Sequence, residues 1–199
     1  LKDSVIKVIA QDAQTTKASC VATHGLPDRE AQQNPVFYRD CTFISNVNLV
    51  RLGDDYGKGS HHHFYNCRFV REGSDPRFKT FLAMGTHVSR FHRFIDTVFE
   101  KGTAPDDVDW GKTKPGSRNY TIEWTLTVQA EPDAEVVITD STGAEVFRGK
   151  ADDAGKLAAP LAQYRVSHEG KTPLTPHTVT SGGKAAKVTM DKAQSVSLR

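Results

Sequence analysis

The sequence lacks a long apolar run, and its charge is nearly balanced. No stretch approaches the roughly 18 apolar residues that a membrane-spanning helix needs, so we expect no membrane span. The 26 basic and 24 acidic residues give a net charge of +2, which argues against a nucleic-acid binder. The length of 199 residues and the 37% hydrophobic content suit a soluble globular protein of one large or two small domains.

Cysteine is scarce, and the motifs of nucleotide-dependent enzymes are missing. The three cysteines, Cys20, Cys41 and Cys67, all lie in the first half of the chain. An odd number leaves at least one thiol unpaired within the chain, and we expect small buried side chains at these positions. Because no nucleophile-elbow, P-loop, dinucleotide-binding or zinc-ribbon pattern occurs, we expect no nucleotide cofactor.

Neither half of the chain shows the sustained 3.6-residue periodicity of amphipathic helices. Short apolar alternations, separated by Gly, Pro, Asn and Asp, run through both halves and predict an all-β protein. The composition changes near 111–119 (GKTKPGSRN), which nine of the ten Phe residues precede. We therefore predict one domain over 1–115 and a second over 116–199.

Three segments of the first half repeat one pattern. They are FYRDCTFISN (37–46), FYNCRFVREG (64–73) and FIDTVFEKG (94–102). Three columns of residues correspond in them: Asp40, Asn66 and Asp96; Cys41, Cys67 and Thr97; and Phe43, Phe69 and Phe99. A second strand aligns NLVRLG (48–53) with FLAMG (81–85), each closing on Gly. Repeats of this length predict stacked coils in which like residues lie about 4.8 Å apart, so the Phe column should form an interior ladder.

These segments resemble coils of a right-handed parallel β-helix of the pectate-lyase-like kind, over roughly residues 1–110. The resemblance implies a short β-helix of about 3–4 coils, with loops 54–63 and 70–79 on a functional face. FYRDC also resembles a stretch of pectin methylesterases, but NVNLVRLG stands where that family has a catalytic Asp, so no esterase function is carried over. The few coils predict the C-terminal end of a longer solenoid or a truncated relative, capped by preceding coils or by another chain, and the start at Leu1 predicts a mature product or a C-terminal fragment.

The second half has the turns and short strands of an antiparallel sandwich. Its segment PDAEVVITDSTGAEVFRGKADDAGKLAAPL resembles prealbumin-like, carboxypeptidase-regulatory-like modules, with D-x-x-G hairpins at 140–143 and 152–155. The later stretch TPLTPHTVTSGGK departs from the usual ending. The resemblance implies a stabilising, spacing or docking role without an active site, in a β-sandwich over 116–199.

One loop of the first half contains the types of side chain that polysaccharide-cleaving enzymes use in catalysis. The candidate catalytic residues are Arg51, Asp54, Lys58, His61 and His63. A polysaccharide lyase needs a base and a neutraliser for the uronate carboxylate, whereas a glycosidase needs two converging carboxylates, which the adjacent Asp54 and Asp55 do not favour. A solvated turn with exposed imidazoles is the alternative. No spacing motif supports a metal site, so none is assigned.

A second group of basic residues follows in the next coil. If Arg77, Lys79, His87, Arg90, His92 and Arg93 form one strip, an anionic polysaccharide suits it; ordinary surface charge is the alternative. The candidate substrate-binding residues are Tyr56, Arg77, Lys79, Arg90 and His92. Tyr56, Tyr65 and Trp110 offer rings for sugars, although for Trp110 we favour a plug at the C-terminal end of the β-helix.

We therefore predict the C-terminal portion of an extracellular carbohydrate-active β-helix protein, secreted or at the cell surface, that binds or cleaves an acidic polysaccharide. If it is an enzyme, which the sequence leaves open, it is a polysaccharide lyase or a glycoside hydrolase. The expected partners are a polysaccharide or cell-surface glycan, not nucleic acid, and no cofactor is assigned beyond leaving Ca²⁺ open. The alternative is a non-catalytic structural or adhesive fibre protein, with the β-helix as stem and the sandwich as spacer.

Overall fold

The structure, a computed structural model, describes residues 1–11, 17–23, 35–53 and 61–199. Every regular element within these ranges is a β-strand. The chain divides into two compact units, the first formed by Leu1–Thr121 with Val166–Lys171 and the second by Ile122–Arg165 with Thr172–Arg199. None of the described residues forms a helix that is long and apolar enough to cross a membrane.

The first unit is a parallel β-solenoid. Its first sheet contains β1 (Val5–Val8), β4 (Thr42–Ser45), β7 (Arg68–Arg71) and β10 (Val98–Glu100). Its second sheet contains β2 (Ser19–Ala22), β5 (Asn48–Leu52), β8 (Phe81–Ala83) and β11 (Val108–Asp109). Its part of the third sheet contains β3 (Val36–Arg39), β6 (His62–Tyr65), β9 (Ser89–Ile95) and the first residues of β12 (Arg118–Gln129), whose residues from Ile122 onward belong to the second unit. The chain visits the sheets in a constant order, so the stack makes about three turns, which confirms the predicted solenoid.

The predicted phenylalanine ladder is present. Phe69 lies in register with Phe43 on one side and with Phe99 on the other. The rings stack with centroids 4.8 Å apart for Phe43 and Phe69 and 5.4 Å apart for Phe69 and Phe99. The column therefore fills the interior with like side chains at about the spacing of neighbouring strands.

A second aromatic column lies beside the first. Tyr38, Phe64 and Phe94 occupy one register in the third sheet, and both successive ring pairs stack at 4.6 Å. Tyr120 continues the column edge-on, 5.5 Å from Phe94. Because Phe64 and Phe94 are fully buried, the two columns together form an aromatic core.

The corner between the third and first sheets is the same in every coil. It is made by residues with positive φ, namely Asp3 (48°), Asp40 (55°), Asn66 (51°) and Asp96 (50°). Asp and Asn tolerate this left-handed conformation better than other residues that carry a side chain. The next residue then donates from its side chain to the carbonyl two positions back: Ser4 to Lys2, Cys41 to Arg39, Cys67 to Tyr65 and Thr97 to Ile95.

This corner extends the repeat to the first coil, where Ile6 pairs with Phe43. Cys41 and Cys67 are free and buried, and Cys20 is free and partly buried. The predicted alignment of the second strand is wrong by one residue, because Val50 rather than Leu49 lies opposite Phe81. The two closing glycines therefore do not share a register.

A buried arginine binds backbone carbonyls where two strands of the second sheet, β5 and β8, end. The Arg118 side chain is fully buried and donates from Nε to the Leu52 carbonyl at 2.8 Å. Its Nη2 donates to the carbonyls of Met84 at 2.7 Å and Gly85 at 3.2 Å, while Nη1 donates to that of Ser117 at 3.0 Å. Successive coils therefore share one guanidinium as the partner of their backbone carbonyls.

The second unit contains a four-stranded antiparallel sheet of β14 (Glu145–Lys150), β13 (Glu135–Thr139), β17 (His177–Ser181) and β18 (Lys184–Val188). The other strands of this part of the chain are β15 (Lys156–Ser167), β16 (Gly170–Pro173) and β19 (Gln194–Ser197), of which β19 pairs in parallel with β12. One apolar cluster joins residues of both groups, among them Leu126, Ile138, Leu161 and Val179. The turn 140–143 closes a hairpin as predicted, but 152–155 joins strands of different sheets and is therefore not a hairpin.

Candidate functional site

The loop expected to carry the chemistry is only partly described. Asp54, Tyr56 and Lys58, with Asp55, lie outside the described residues. Arg51 is partly buried in β5, and its Nη1 lies 3.4 Å from the Lys17 carbonyl. Within the described parts of the chain, no group of three or more His, Cys, Asp or Glu side chains could hold a metal ion.

The three consecutive histidines do not share one environment. His61 and His62 are buried, and the His61 ring meets the Phe91 ring edge-on at 5.3 Å. His62 faces inward, with Nδ1 3.3 Å from the Tyr38 hydroxyl. His63 faces outward and is partly exposed.

His92 belongs to a buried polar network rather than to the surface. Its Nδ1 accepts the backbone N–H of His62 at 3.1 Å, so Nε2 carries the ring proton and donates to the Ser89 hydroxyl at 2.8 Å. Burial, followed by the neighbouring His62, His61 and His63, holds the pKa of His92 well below its ordinary value. The neutral ring therefore donates a hydrogen bond to the Ser89 hydroxyl and does not act as its base.

Both ends of this network are internal. The Ser89 hydroxyl lies 2.6 Å from the Thr23 hydroxyl, and Ser89 and His92 have no exposed surface. A polysaccharide outside the protein would not reach the His92 ring in this structure. The Ser–His pair thus joins two stretches of chain, from the second and third sheets, instead of forming a nucleophile and base.

The basic residues of the predicted strip occupy different parts of the coil. Arg77 and Lys79 lie in the connection between β7 and β8, whereas Arg90 lies in β9. Arg77 forms a bidentate pair with Asp75, and Arg90 lies over the Phe91 ring with its Cζ 5.0 Å from the centroid. One connection and one strand of another sheet therefore hold these residues, and the single strip stays a prediction.

The structure instead brings aromatic and cationic side chains together on the outer face of the third sheet. We call Phe37, Arg39, His63, Tyr65 and Arg93 the outer patch. Phe37, His63 and Arg93 form one register row across β3, β6 and β9, and Arg39 and Tyr65 pair in a second. The alternation of the strands sends these side chains outward, while the intervening residues enter the core.

The outer patch is held together by ring contacts. The Arg39 guanidinium lies 4.2 Å from the Tyr65 ring centroid and 5.6 Å from that of Phe37. The Phe37 ring is 5.4 Å from the His63 ring and 6.3 Å from the Tyr65 ring. Phe37 nevertheless remains 40% exposed, so a ring and a cation are offered together to the outside.

Phe91 borders this patch in a strained conformation. Its φ is +61°, which is uncommon for a bulky residue and costs about 1–3 kcal/mol. The backbone is fixed there by a hydrogen bond from the Phe91 N–H to Asn119 Oδ1 at 2.8 Å. The ring is 49% exposed, so strain and apolar exposure coincide at one surface position.

The electrostatics of the patch are set by crowded cations. Burial lowers the pKa of His63 to about 4, and Arg93, His61 and Arg39 add to the effect in that order. His63 is therefore neutral at pH 7 beside two guanidinium groups. An anion placed here would offset the repulsion from these cations, which adds to the effect of burial on the imidazole.

A separate pocket of about 620 Å³ lies beside β8, lined in part by Lys17, Met84 and Lys112. No carboxylate or imidazole belongs to its described lining. The described residues therefore supply no carboxylate pair for glycoside hydrolysis in this pocket.

Alternation could have revealed the outer patch in the sequence. In VFYR the outward positions are Phe37 and Arg39, and in HHFY they are His63 and Tyr65; the Cys41–Cys67 alignment sets these positions opposite each other. Of the patch, only His63, Tyr65 and Arg93 were singled out from the sequence. Comparison with protein-family models, with curated proteins and with solved structures found no match to this chain.

Proposed function

We propose that the protein is an extracellular carbohydrate-binding β-helix protein that holds an acidic polysaccharide on its outer patch. One observation carries the proposal: the Arg39 guanidinium stacks on Tyr65 beside the exposed ring of Phe37. Flat apolar rings suit the faces of sugar rings, and guanidinium groups suit their carboxylates. The same surface therefore offers both contacts that an acidic sugar needs.

Binding is favoured over cleavage at this patch. Its five residues include no carboxylate, and the one imidazole has its pKa lowered to about 4 by burial and neighbouring cations. A lyase or hydrolase reaction would need residues beyond the patch, such as Arg51 with the loop 54–60. Cleavage is thus a secondary proposal that depends on that loop.

The remaining architecture is proposed on the same basis. The solenoid is proposed to be right-handed and pectate-lyase-like, and to continue into preceding coils or against another chain. The second unit is proposed to be a prealbumin-like sandwich that acts as a spacer. Its apolar cluster between two groups of strands supports that architecture.

A structural or adhesive role is the second candidate. It is favoured by exposed apolar side chains on the first coil, namely Leu1, Val5 and Ile9. Such surfaces are typical of contacts between chains. Sedimentation analysis distinguishes the two roles, because a fibre component assembles with rising concentration whereas a polysaccharide-binding module need not.

The proposal is tested by measuring binding to polygalacturonate and to a neutral polysaccharide by isothermal titration calorimetry. We expect polygalacturonate alone to bind, more weakly as salt rises. Phe37→Ala and Arg39→Ala should each weaken binding about tenfold. The matched controls are Val98→Ala and Arg68→Ala, which truncate exposed residues of the first sheet. Equal effects in the two sets, or equal binding of the neutral polymer, would disprove the proposal.

A further inference from the structure

A second polar pocket lies between the connection from β7 to β8 and the connection from β10 to β11. It has a volume of about 580 Å³, and its lining includes Arg71, Lys79, Gly102 and Asp107. None of these residues belongs to the outer patch. An inference about this pocket therefore does not depend on the function proposed for the outer patch.

Arg71 forms a buried part of this lining. Its side chain is only 7% exposed, and its Nε and Nη1 donate to the carbonyls of Gly102 at 3.3 Å and Val47 at 3.4 Å. Among the described residues, Nη2 has no hydrogen-bond partner. The Asp107 carboxylate is 3.6 Å away, which is too long for a hydrogen bond.

The charge of Arg71 is retained despite its burial. Burial lowers the pKa of the guanidinium and Asp107 opposes this, but an arginine side chain remains protonated in proteins. A buried cation with an unpaired donor is costly unless an acceptor completes its partners. The described protein supplies no such acceptor to Nη2.

Asp107 is already engaged by other donors. Its Oδ2 accepts from the Thr80 N–H at 2.8 Å and the Thr80 hydroxyl at 3.2 Å, and its Oδ1 lies 3.2 Å from Lys79 Nζ. What remains is a surplus of donors, on Arg71 Nη2 and on the ammonium of Lys79. The nearby Arg77 does not change this balance, because Asp75 pairs with it at 2.6 Å.

We infer that this pocket binds one carboxylate group of an acidic ligand between Arg71 and Lys79. The carboxylate accepts from Arg71 Nη2 and from the Lys79 ammonium, both of which carry unused N–H groups. Nη2 is closed to bulk solvent, whereas the Lys79 side chain is 39% exposed. Binding therefore requires a local movement of the pocket lining that opens Nη2, and the exposed Lys79 ammonium then completes the binding.

The test uses the full chain and nuclear magnetic resonance of the arginine Nε–H groups, with galacturonate, galactose and acetate as probes. Galacturonate should shift the Arg71 signal in a saturable way, and galactose, which lacks the carboxylate, should not. Acetate distinguishes the source of the carboxylate: equal affinity indicates a site for small free carboxylates, and weaker affinity indicates an acidic sugar.

Variants make the test specific. Lys79→Met should weaken galacturonate binding about tenfold, while Lys114→Met, an exposed lysine elsewhere in the unit, should leave it unchanged. Arg71→Lys should weaken binding as well, but Lys79→Met decides if Arg71→Lys does not fold. No shift at Arg71, equal shifts with galactose, or equal effects of the two lysine variants would overturn the inference. Phe37→Ala, which tests the outer patch, should not affect this site.

Discussion

Replacing Arg118 with methionine tests how much the hydrogen bonds of its buried guanidinium stabilise successive coils. The substitution keeps a long side chain but removes donors from the carbonyls of Leu52, Met84 and Gly85. Each buried carbonyl left without a partner costs about 1–3 kcal/mol. Part of this loss is offset, because the variant no longer pays the desolvation penalty of a buried cation in the folded state. We expect Arg118→Met to lower the free energy of unfolding by about 3 kcal/mol.

The assay is urea denaturation followed by circular dichroism, with hydrogen exchange of the amides in β5 and β8 as a local readout. The matched control is Arg68→Met, which removes an exposed ion pair to Glu100 at 2.7 Å and should cost about 0–1 kcal/mol. If the two variants lose the same stability, the carbonyls do not depend on the guanidinium. Protection of β5 and β8 should fall only in Arg118→Met.

A double-mutant cycle sharpens the result. Gly53 has φ +91°, and a Cβ added there would lie 2.5 Å from Arg118 Nη2. Gly53→Ala should therefore be destabilising in the natural chain through both strain and collision. In Arg118→Met the flexible methionine can withdraw, so the two losses should sum to more than the loss in the double variant. Additive losses would contradict the close approach.

Two further predictions concern the core and the outer patch. Phe69→Ala, which opens a hole between Phe43 and Phe99 in the buried ladder, should cost about 3–5 kcal/mol in urea denaturation; a loss below 1 kcal/mol would show that the ring is not part of the core. His63 has a folded pKa of about 4, below its unfolded value of about 6.5, so the unfolded chain binds the extra proton between these values. Stability should therefore fall as the pH drops from about 6.5 to about 4, by at most about 3 kcal/mol from this group. The decline should be smaller in His63→Gln, and an unchanged decline would refute the assignment.

The repeat made the ladder predictable, because Phe43, Phe69 and Phe99 hold the same residue type at one coil position. The repeat motif was not detected in the first coil because Ser4 and Ile6 stand where later coils have Cys or Thr and Phe. These substitutions preserve the side-chain hydrogen bond and the apolar character of the two positions, but not the residue types of the motif. A search for Asp or Asn, followed by a small side chain that donates a hydrogen bond and, two positions later, by an apolar residue, would have found the motif in the first coil.

Arg118 was not predictable from its surroundings. It lies in a segment rich in Gly, Pro and Ser, where a charged residue is ordinarily solvated, yet its side chain is fully buried. Its partners are backbone carbonyls, which carry no sequence signal. His92 escaped for a related reason, since an imidazole that binds a backbone N–H is indistinguishable in sequence from one on the surface.

The identical corners have a consequence for how such a chain changes length. Asp40 and Asn66 share one backbone conformation, and Cys41 and Cys67 follow them with the same local hydrogen bond. Joining Asp40 directly to Cys67 would therefore remove one complete turn and recreate the same junction. The corner geometry thus allows the solenoid to lengthen or shorten in whole turns, but deleting this particular turn also removes the Leu52 carbonyl that accepts a hydrogen bond from Arg118.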